Sequence, residues 1–529
     1  MDYKVLITTS GTGSRLGDLT KYTNKALVRI GNKPAISHII ESYPSNTSFV
    51  ITVGHFSNQI KDFLSLAYPN YKIEYVEVKN FDGPGSSLGL SMLEAKKKLQ
   101  CPFVFHACDT LIKESVSVPD KNWIGVYKSS DTAQYASWKI KDGKLHFNEK
   151  GAADSDFLHI GLIGVYEYKP FWETLESLYK SKPHNHTLND CQTLSGMIQK
   201  GSVMELIEFS VWHDIGNINA LQKARQEFGS SLDDLDKLGE ALFIFKDFVI
   251  KFFKDENIVR NRADRGKMLE GFVPKVEGVA GNFFRYKFVS GELYSHLVQP
   301  SASDFKRFLE WVQNSFWKEE HEVDDKEFKK ICNSFYYDKT IKRINQFLED
   351  NGLEDTEHVI NGENVPTIKE LLKMVDFERL SNGLQSRFHG DFILDNILQT
   401  KDNFCFLDWR QDFGGLLRGG DRYYDLAKLN HNLTVNHSVI NRNLFTMESD
   451  GKNVRVEIMR PSNLVECQDI FFEFFRKYKY DNRKVRFLTA IIWLNMSPLH
   501  HYPFNHFLYY FGKLNLWRTL RENDIARKV

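Results

Sequence analysis

The first residues that could do chemistry are Gly11-Thr12-Gly13-Ser14-Arg15, directly after the apolar run KVLITTS. Glycines straight after a strand let the backbone approach a phosphate and turn its N–H groups toward the oxygens. Taken alone, the pentapeptide suits an ordinary strand-to-helix turn as well. It is not a dinucleotide fingerprint, because Leu16 stands where the third glycine belongs and Gly17 comes one residue late. Walker A is excluded too, for want of Gly-Lys-Ser/Thr. A second cluster, His389-Gly390-Asp391, is followed by Asn396 five residues after the aspartate and by an apolar run ending in Asp408-Trp409. By itself His-Gly-Asp also fits a turn with a capping aspartate. The histidines His500, His501 and His506 follow no zinc spacing and are expected to pack or to face solvent.

Lys25 lies ten residues beyond Arg15, in the run RLGDLTKYTNKAL. The whole stretch resembles the signature of sugar-phosphate nucleotidylyltransferases, G-x-G-[ST]-R-L followed by Pro-Lys-[AP]-L. Asn24 replaces the usual proline and Thr9-Ser10 the usual alanines, changes that keep those positions small or polar. Further stretches follow in the family's order: residues 81–88 (FDGPGSSL), 103–109 (FVFHACD), 148–150 (NEK, with Gly151 for the usual proline) and 211–217 (VWHDIGN). The resemblance implies that Gly11, Thr12, Gly13 and Ser14 hold a triphosphate while Arg15 and Lys25 neutralise the leaving pyrophosphate and the attacking phosphate. It implies that Gly83, Gly85 and Ser86 meet the nucleotide, Glu149 and Lys150 the sugar phosphate, and that Asp109 and Asp214 bind Mg²⁺. Such a set suits the reaction. Both reactants are polyanions, and in-line displacement at the α-phosphorus spreads negative charge. Two carboxylates on Mg²⁺ and two cations stabilise that charge, and an already ionised phosphate needs no general base. Read singly, Asp109 could be a strand-end turn former and Asp214 the cap of the helical run NALQKARQ.

The second cluster resembles the catalytic loop and metal-binding strand of the aminoglycoside phosphotransferase and choline kinase family, relatives of protein kinases. The resemblance implies that Asp391 aims and partly deprotonates a hydroxyl attacking the γ-phosphate of ATP, with Asn396 and Asp408 holding Mg²⁺ against the phosphates. Lys251 lies where that family places its ATP lysine, although a solvated strand-end lysine is the other reading. No acid stands on an evident inward face of NIVRNRADRGKML to partner it; Glu256 and Glu270 flank that stretch. Gly291-Glu292-Leu293 resembles the hinge that meets adenine. The run Gly420–Ala427 resembles the family's D-x-x-x-D-L-A helix, in which Asp425 is expected to brace the catalytic loop.

These groups need elements to hold them. Through residue 230, strand-like runs rich in Val, Ile, Phe and Tyr (KVLITTS, SFVITVG, KIEYVEV, CPFVFHACD) alternate with amphipathic stretches such as SNQIKDFLSLAY. That alternation predicts an α/β domain with a mostly parallel, Rossmann-like sheet. The polar segment FGSSLDDLDKLGE then interrupts the pattern. Beyond it come aromatic strand-like runs and long helical patterns, predicting an α+β, two-lobed, protein-kinase-like domain. The expected domains are 1–229 and 235–529.

Composition bounds the rest. At 529 residues the chain should hold two to four domains, at roughly 150 residues each. Lys plus Arg and Asp plus Glu both number 69, so the basic excess of a dedicated nucleic-acid binder is absent. Six scattered cysteines without a C-x-x-C pair argue against a disulfide framework or zinc knuckle. No signal peptide is evident, and the run FLTAIIWLNM is about half a bilayer span, so a cytoplasmic protein without membrane insertion is expected. A homo-oligomer is compatible with all of this. The expected function is bifunctional: phosphorylation of a small sugar or polyol by ATP, then coupling of the ester to CTP or UTP with release of pyrophosphate. The product would be an NDP-activated precursor for surface polysaccharide. A choline- or ethanolamine-type kinase joined to a phosphocholine-type cytidylyltransferase is the alternative in the same families. A nucleotide-sensing regulator without turnover is a third reading, weakened because every charged position is kept. A protein kinase would need a Gly-rich loop before Lys251 and an A-P-E-like segment after Asp408, and has neither.

Overall fold

The four apolar runs form strands Lys4–Thr8, Ser48–Val53, Lys72–Glu77 and Phe103–Ala107. Consecutive residues Val5, Leu6 and Ile7, and likewise Phe49, Val50 and Ile51, are fully buried, so both faces of this sheet are covered. That is the condition of parallel strands with helices on each side. The computed structural model describes residues 2–129, 132–152, 155–181, 187–229, 238–296 and 302–526.

The parallel strands stand in the order Lys72–Glu77, Ser48–Val53, Lys4–Thr8, Phe103–Ala107. Helices Ala35–Glu41 and Ser57–Ala67 make the crossovers on one side. The sheet then continues antiparallel through Phe157–Val165 to a total of nine strands among the described residues. The order reverses at Lys4–Thr8. The chain leaves that strand toward Ser48–Val53 and returns on its other side as Phe103–Ala107. In open α/β sheets the crevice beyond the carboxyl ends at such a switch point is where ligands bind. The loop 9–15 and Asp109 follow these two strands.

By contacts the chain divides into Met1–Val259 with Glu277–Phe288, and Arg260–Val276 with Val289–Val529. The linker expected at 230–234 lies outside the described residues. Strands Glu240–Ile244, Phe248–Phe253 and Phe283–Lys287, which composition assigns to the second domain, belong to the first unit. The reason is hydrophobic. Phe243, Phe245, Ile250, Phe252 and Phe283 share one core with Ile60, Phe63 and Leu64 of helix Ser57–Ala67.

The second unit is mainly helical, with long helices Lys339–Asn351, Arg422–Thr434, Ser462–Tyr478, Asn482–Met496 and Phe504–Ala526. A three-stranded sheet orders Glu292–Leu293, Ile397–Gln399 and Phe404–Phe406. The rings of Phe308, Phe316, Phe392, Phe404 and Phe406 pack around it. Among the described residues no helix is long and apolar enough to cross a membrane.

Candidate active sites

In the first unit the loop after Lys4–Thr8 is fixed before it turns. Thr9 donates from its N–H (2.9 Å) and its hydroxyl (2.8 Å) to the Thr52 carbonyl, and Ser10 Oγ meets Ser91 Oγ at 2.9 Å. Gly13 adopts φ 68° and opens the short helix Ser14–Thr20. A Cβ there would lie 2.7 Å from Lys25 Cβ, so glycine is required for the two segments to touch. Asn24 is fully buried. Its side chain donates to the carbonyls of Thr9 (2.9 Å) and His55 (2.7 Å) and accepts from Ala26 N–H (2.9 Å).

Lys25, held in this way, donates to Asp109 Oδ2 at 2.7 Å. The strand Trp212–Asp214 pairs antiparallel with Thr110–Ile112, setting Asp214 opposite Thr110, and Ile215 N–H donates to the Asp109 carbonyl at 3.0 Å. Residues separated by more than 100 positions thus converge. The point where Gly216 would carry a Cβ lies 2.9 Å from Asp214 Oδ1, 3.2 Å from Arg15 Nη2 and 3.5 Å from Asp109 Oδ2. Gly216 belongs to the run 211–217 noted in the sequence, and a side chain there would fill the site. Asp214 Oδ1 accepts from Gly216 N–H at 2.7 Å; the cap of the following helix is Asn217, not Asp214.

The electrostatics are uneven. Burial opposes the Asp109 charge, but Lys25 beside it holds its pKa below the usual carboxylate range. Burial and then the Asp109 charge push Asp214 above it. Two carboxylates that disfavour each other's ionisation, facing one gap, are a donor set that a divalent cation satisfies. The arrangement can neutralise polyphosphate from two sides, with Arg15 and Lys25 as cations and the carboxylates able to hold a metal.

The remaining predicted positions are more open. In loop 81–88, Gly83 (φ 75°) and Gly85 (φ 85°) make tight turns, and Ser86 Oγ donates to the Gly83 carbonyl at 2.7 Å. Glu149 and Lys150 are exposed at the end of hairpin strand Lys144–Asn148. A buried group elsewhere, His159 with Asp190 and Cys191, has metal-like spacing. The His159 ring nitrogens already engage Trp138 Nε1 (3.2 Å) and Asp190 (2.7 Å), which makes it a structural hydrogen-bond chain.

In the second unit Asp391 lies on a loop tied down from several directions. Asp425, wholly buried on helix Arg422–Thr434, accepts from the N–H groups of His389 (2.8 Å) and Gly390 (2.7 Å) and from the Trp317 indole (3.1 Å). The expected brace is present. His389 Nε2 faces the Leu407 carbonyl at 2.8 Å and Nδ1 accepts from Asp391 N–H at 3.2 Å, while burial lowers its pKa to about 4. Asn396 donates to the Asp391 carbonyl (2.9 Å) and Oδ2 (3.2 Å). Asp408 sits at φ 53°, an uncommon conformation for a non-glycine residue.

Two kinds of residue here escaped the sequence reading. Lys428, three positions after Asp425, pairs with Asp391 at 2.7 Å; burial opposes the Asp391 charge, but Lys428 brings its pKa down to about 2. Helix Glu256–Met268 supplies arginines where an acid was sought. Arg262 pairs with Asp408, and the fully buried Arg265 donates to the carbonyls of Phe388 (2.6 Å) and Leu417 (2.9 Å). Lys251 is in the first unit, in strand Phe248–Phe253, its ammonium 5.9 Å from the Phe253 ring centroid. Glu292 is exposed and pairs in register with Gln399.

Residues 4–231 match the family model described as nucleotidyl transferase. These residues are a nucleotidyltransferase domain. Its likeness is to the sugar-phosphate nucleotidylyltransferases. A curated relative, the bifunctional protein GlmU of Methanococcus vannielii, is 25% identical over 221 residues, or 40% of this chain and 51% of that one. GlmU of Methanococcus maripaludis is 24% identical over 218 residues, covering the same shares. The chain therefore spans about half the length of the curated relatives it matches. Among solved structures, the CTP:phosphocholine cytidylyltransferase LicC of Streptococcus pneumoniae aligns at 16% identity and TM-score 0.36, over 43% of this chain and 100% of that one.

Proposed function

We propose that the chain is a bifunctional enzyme that makes a phosphate ester and then activates it with a nucleotide. The convergence of Arg15, Lys25, Asp109 and Asp214 at the switch point carries the nucleotidyl half. The triphosphate lies along the Gly11–Ser14 backbone, with the base and ribose against Gly83, Gly85 and Ser86. Arg15 and Lys25 face the charge developing on the leaving pyrophosphate. Glu149 and Lys150 meet the incoming ester, whose phosphate oxygen attacks the α-phosphorus. Asp109 and Asp214 are the residues that would hold Mg²⁺, which when bound neutralises phosphate charge.

The kinase half rests on the braced Asp391 loop with Asn396 and Asp408 in register. Asp391 orients the acceptor hydroxyl and takes its proton late in transfer, since a carboxylate stabilised by Lys428 is a weak base. Asn396 and Asp408 would hold the metal of ATP, with Glu292 on the nucleotide side. The favoured product is an NDP-activated sugar or polyol made with CTP or UTP in the cytoplasm. Joining the two centres keeps the ester near its second site.

The test is mass spectrometry of the full chain with Mg²⁺, ATP, the other NTPs, and pooled sugars, polyols, amino alcohols and hydroxy acids with their phosphate esters. Conversion of a free alcohol to its NDP derivative is expected. Asp391→Asn should stop phosphorylation and spare coupling of a supplied ester; Lys25→Ala should do the reverse. If either change silenced both steps in a folded protein, two separate centres would be the wrong description.

A further inference from the structure

The cavity beside Asp391 has a chemistry of its own. It holds about 260 Å³, and its lining includes five cations, Arg262, Lys339, Arg343, Arg410 and Lys428, against one carboxylate, Asp391. Lys428 is answered by Asp391 and Arg262 by Asp408. The other three have no carboxylate at ion-pair distance among the described residues. Arg343 donates to the Gln346 amide oxygen (3.2 Å), Arg410 to the Asp412 carbonyl (3.0 Å), and the Lys339 ammonium lies 4.2 Å from the Phe335 ring centroid. Burial and the neighbouring Arg410, Arg343 and Lys428 pull the Lys339 pKa down to about 7. Like charges gathered in a half-dry cavity are costly until an anion joins them.

Two further observations point the same way. The wall is shaped by a π-helical turn, Ser334–Asp338, between helices Asp325–Asn333 and Lys339–Asn351. Such turns recur at functional sites; this one brings Phe335 and Tyr336 to the cavity next to Lys339. The aromatics there are engaged in ways that oppose a cage for a quaternary ammonium. Phe335 has the Arg410 guanidinium at 5.1 Å as well as Lys339, and the Tyr336 hydroxyl donates to Asp421 at 2.7 Å. Asn396, Asp408 and Glu292, on the nucleotide side, are not among the cavity's described lining residues.

We infer that the acceptor at Asp391 is itself an oxyanion, a small hydroxyl compound bearing a carboxylate or phosphate that Lys339, Arg343 and Arg410 receive. The inference rests on the kinase reading above and excludes choline-type alcohols. In the transfer the hydroxyl oxygen bonds to the γ-phosphorus, and the bond from that phosphorus to the β–γ bridging oxygen breaks. ADP leaves with the electron pair, and the hydroxyl proton passes to Asp391.

Calorimetric titration of the full chain, saturated with Mg²⁺ and a non-hydrolysable ATP analogue, tests this with D-glycerate, glycerol 3-phosphate, glycerol and choline. At least one anion should bind more than tenfold tighter than glycerol or choline. Lys339→Met and Arg343→Met should each weaken it tenfold or more without changing affinity for the analogue, which reports that the variants are folded. Whichever anion binds better separates a carboxylate from a phosphate. Equal binding by choline or glycerol, binding by neither anion, or unaltered anion affinity in both variants would overturn the inference. Replacing the analogue with γ-labelled ATP tests the kinase reading on its own: a bound anion that acquires no label sinks that reading and leaves the anion pocket standing.

Discussion

At position 24 a proline could neither donate nor accept through its side chain. The asparagine there makes three hydrogen bonds that tie the loop after the first strand to the residues before Lys25. Asn24→Ala would strand the Thr9 and His55 carbonyls and the Ala26 N–H in a buried place, and each such group costs about 1–3 kcal/mol. A loss of about 3 kcal/mol or more is expected by urea unfolding, together with weaker nucleotidyl transfer; a loss under about 1 kcal/mol would mean that water replaces the side chain. Asp425 gives a pH signature. Burial raises its pKa to about 6 in spite of its three donors, against roughly 3.9 unfolded. The folded state therefore holds an extra proton between those values, and its stability falls as pH rises through that window. The stability advantage of the wild type over Asp425→Asn should be greater at pH 4 than at pH 7, by about 2–3 kcal/mol. A pH-independent difference would mean the carboxylate titrates normally.

Among the elements, the glycine loop and the Lys25 segment work as one part, because Gly13 lets them touch. Gly13→Ala should lower kcat for nucleotidyl transfer by about a hundredfold, the scale of an ångström's misplacement of a catalytic group, with KM for the NTP less affected. An unchanged kcat would mean that the Lys25 position tolerates the shift. Helix Glu256–Met268 turns basic side chains toward the second unit's loops. The kinase resemblance calls for an acid facing Lys251, whereas Arg262 and Arg265 turn toward Asp408 and the Phe388 carbonyl. A helix's composition does not tell which residues face a loop over a hundred positions away.

For the whole molecule, composition places a boundary near residue 230, but the first unit keeps strands from beyond it. Phe243 and Phe283 lie 5.4 and 5.8 Å from the Phe63 ring, centroid to centroid. A fragment of residues 1–229 would leave that apolar face of helix Ser57–Ala67 open, and apolar area costs roughly 25 cal/mol per Å² when exposed. It should bind a hydrophobic dye and melt below the nucleotidyl unit of the full chain. If it were as stable as that unit and bound no dye, the later strands would be dispensable to this core.

The sequence by itself determined the parallel sheet, through runs of β-branched and aromatic residues separated by amphipathic helices. It also made legible the candidate residues that travel in short motifs, the glycine loop with Arg15 and the Asp391 loop with Asn396, since their spacing survives in one dimension. The brace from Asp425 was legible for the same reason. Only the tertiary structure decided which distant groups meet. Asp214 reaches Asp109 through a two-stranded pairing, Lys428 reaches Asp391 through a helix register, and Lys339, Arg343 and Arg410 gather at one cavity from segments separated by more than 60 residues. Charge balance also belongs to this level. A chain with 69 basic and 69 acidic side chains carries no sign of a cationic pocket, because net charge sums over the molecule while a ligand responds only to the groups that surround it.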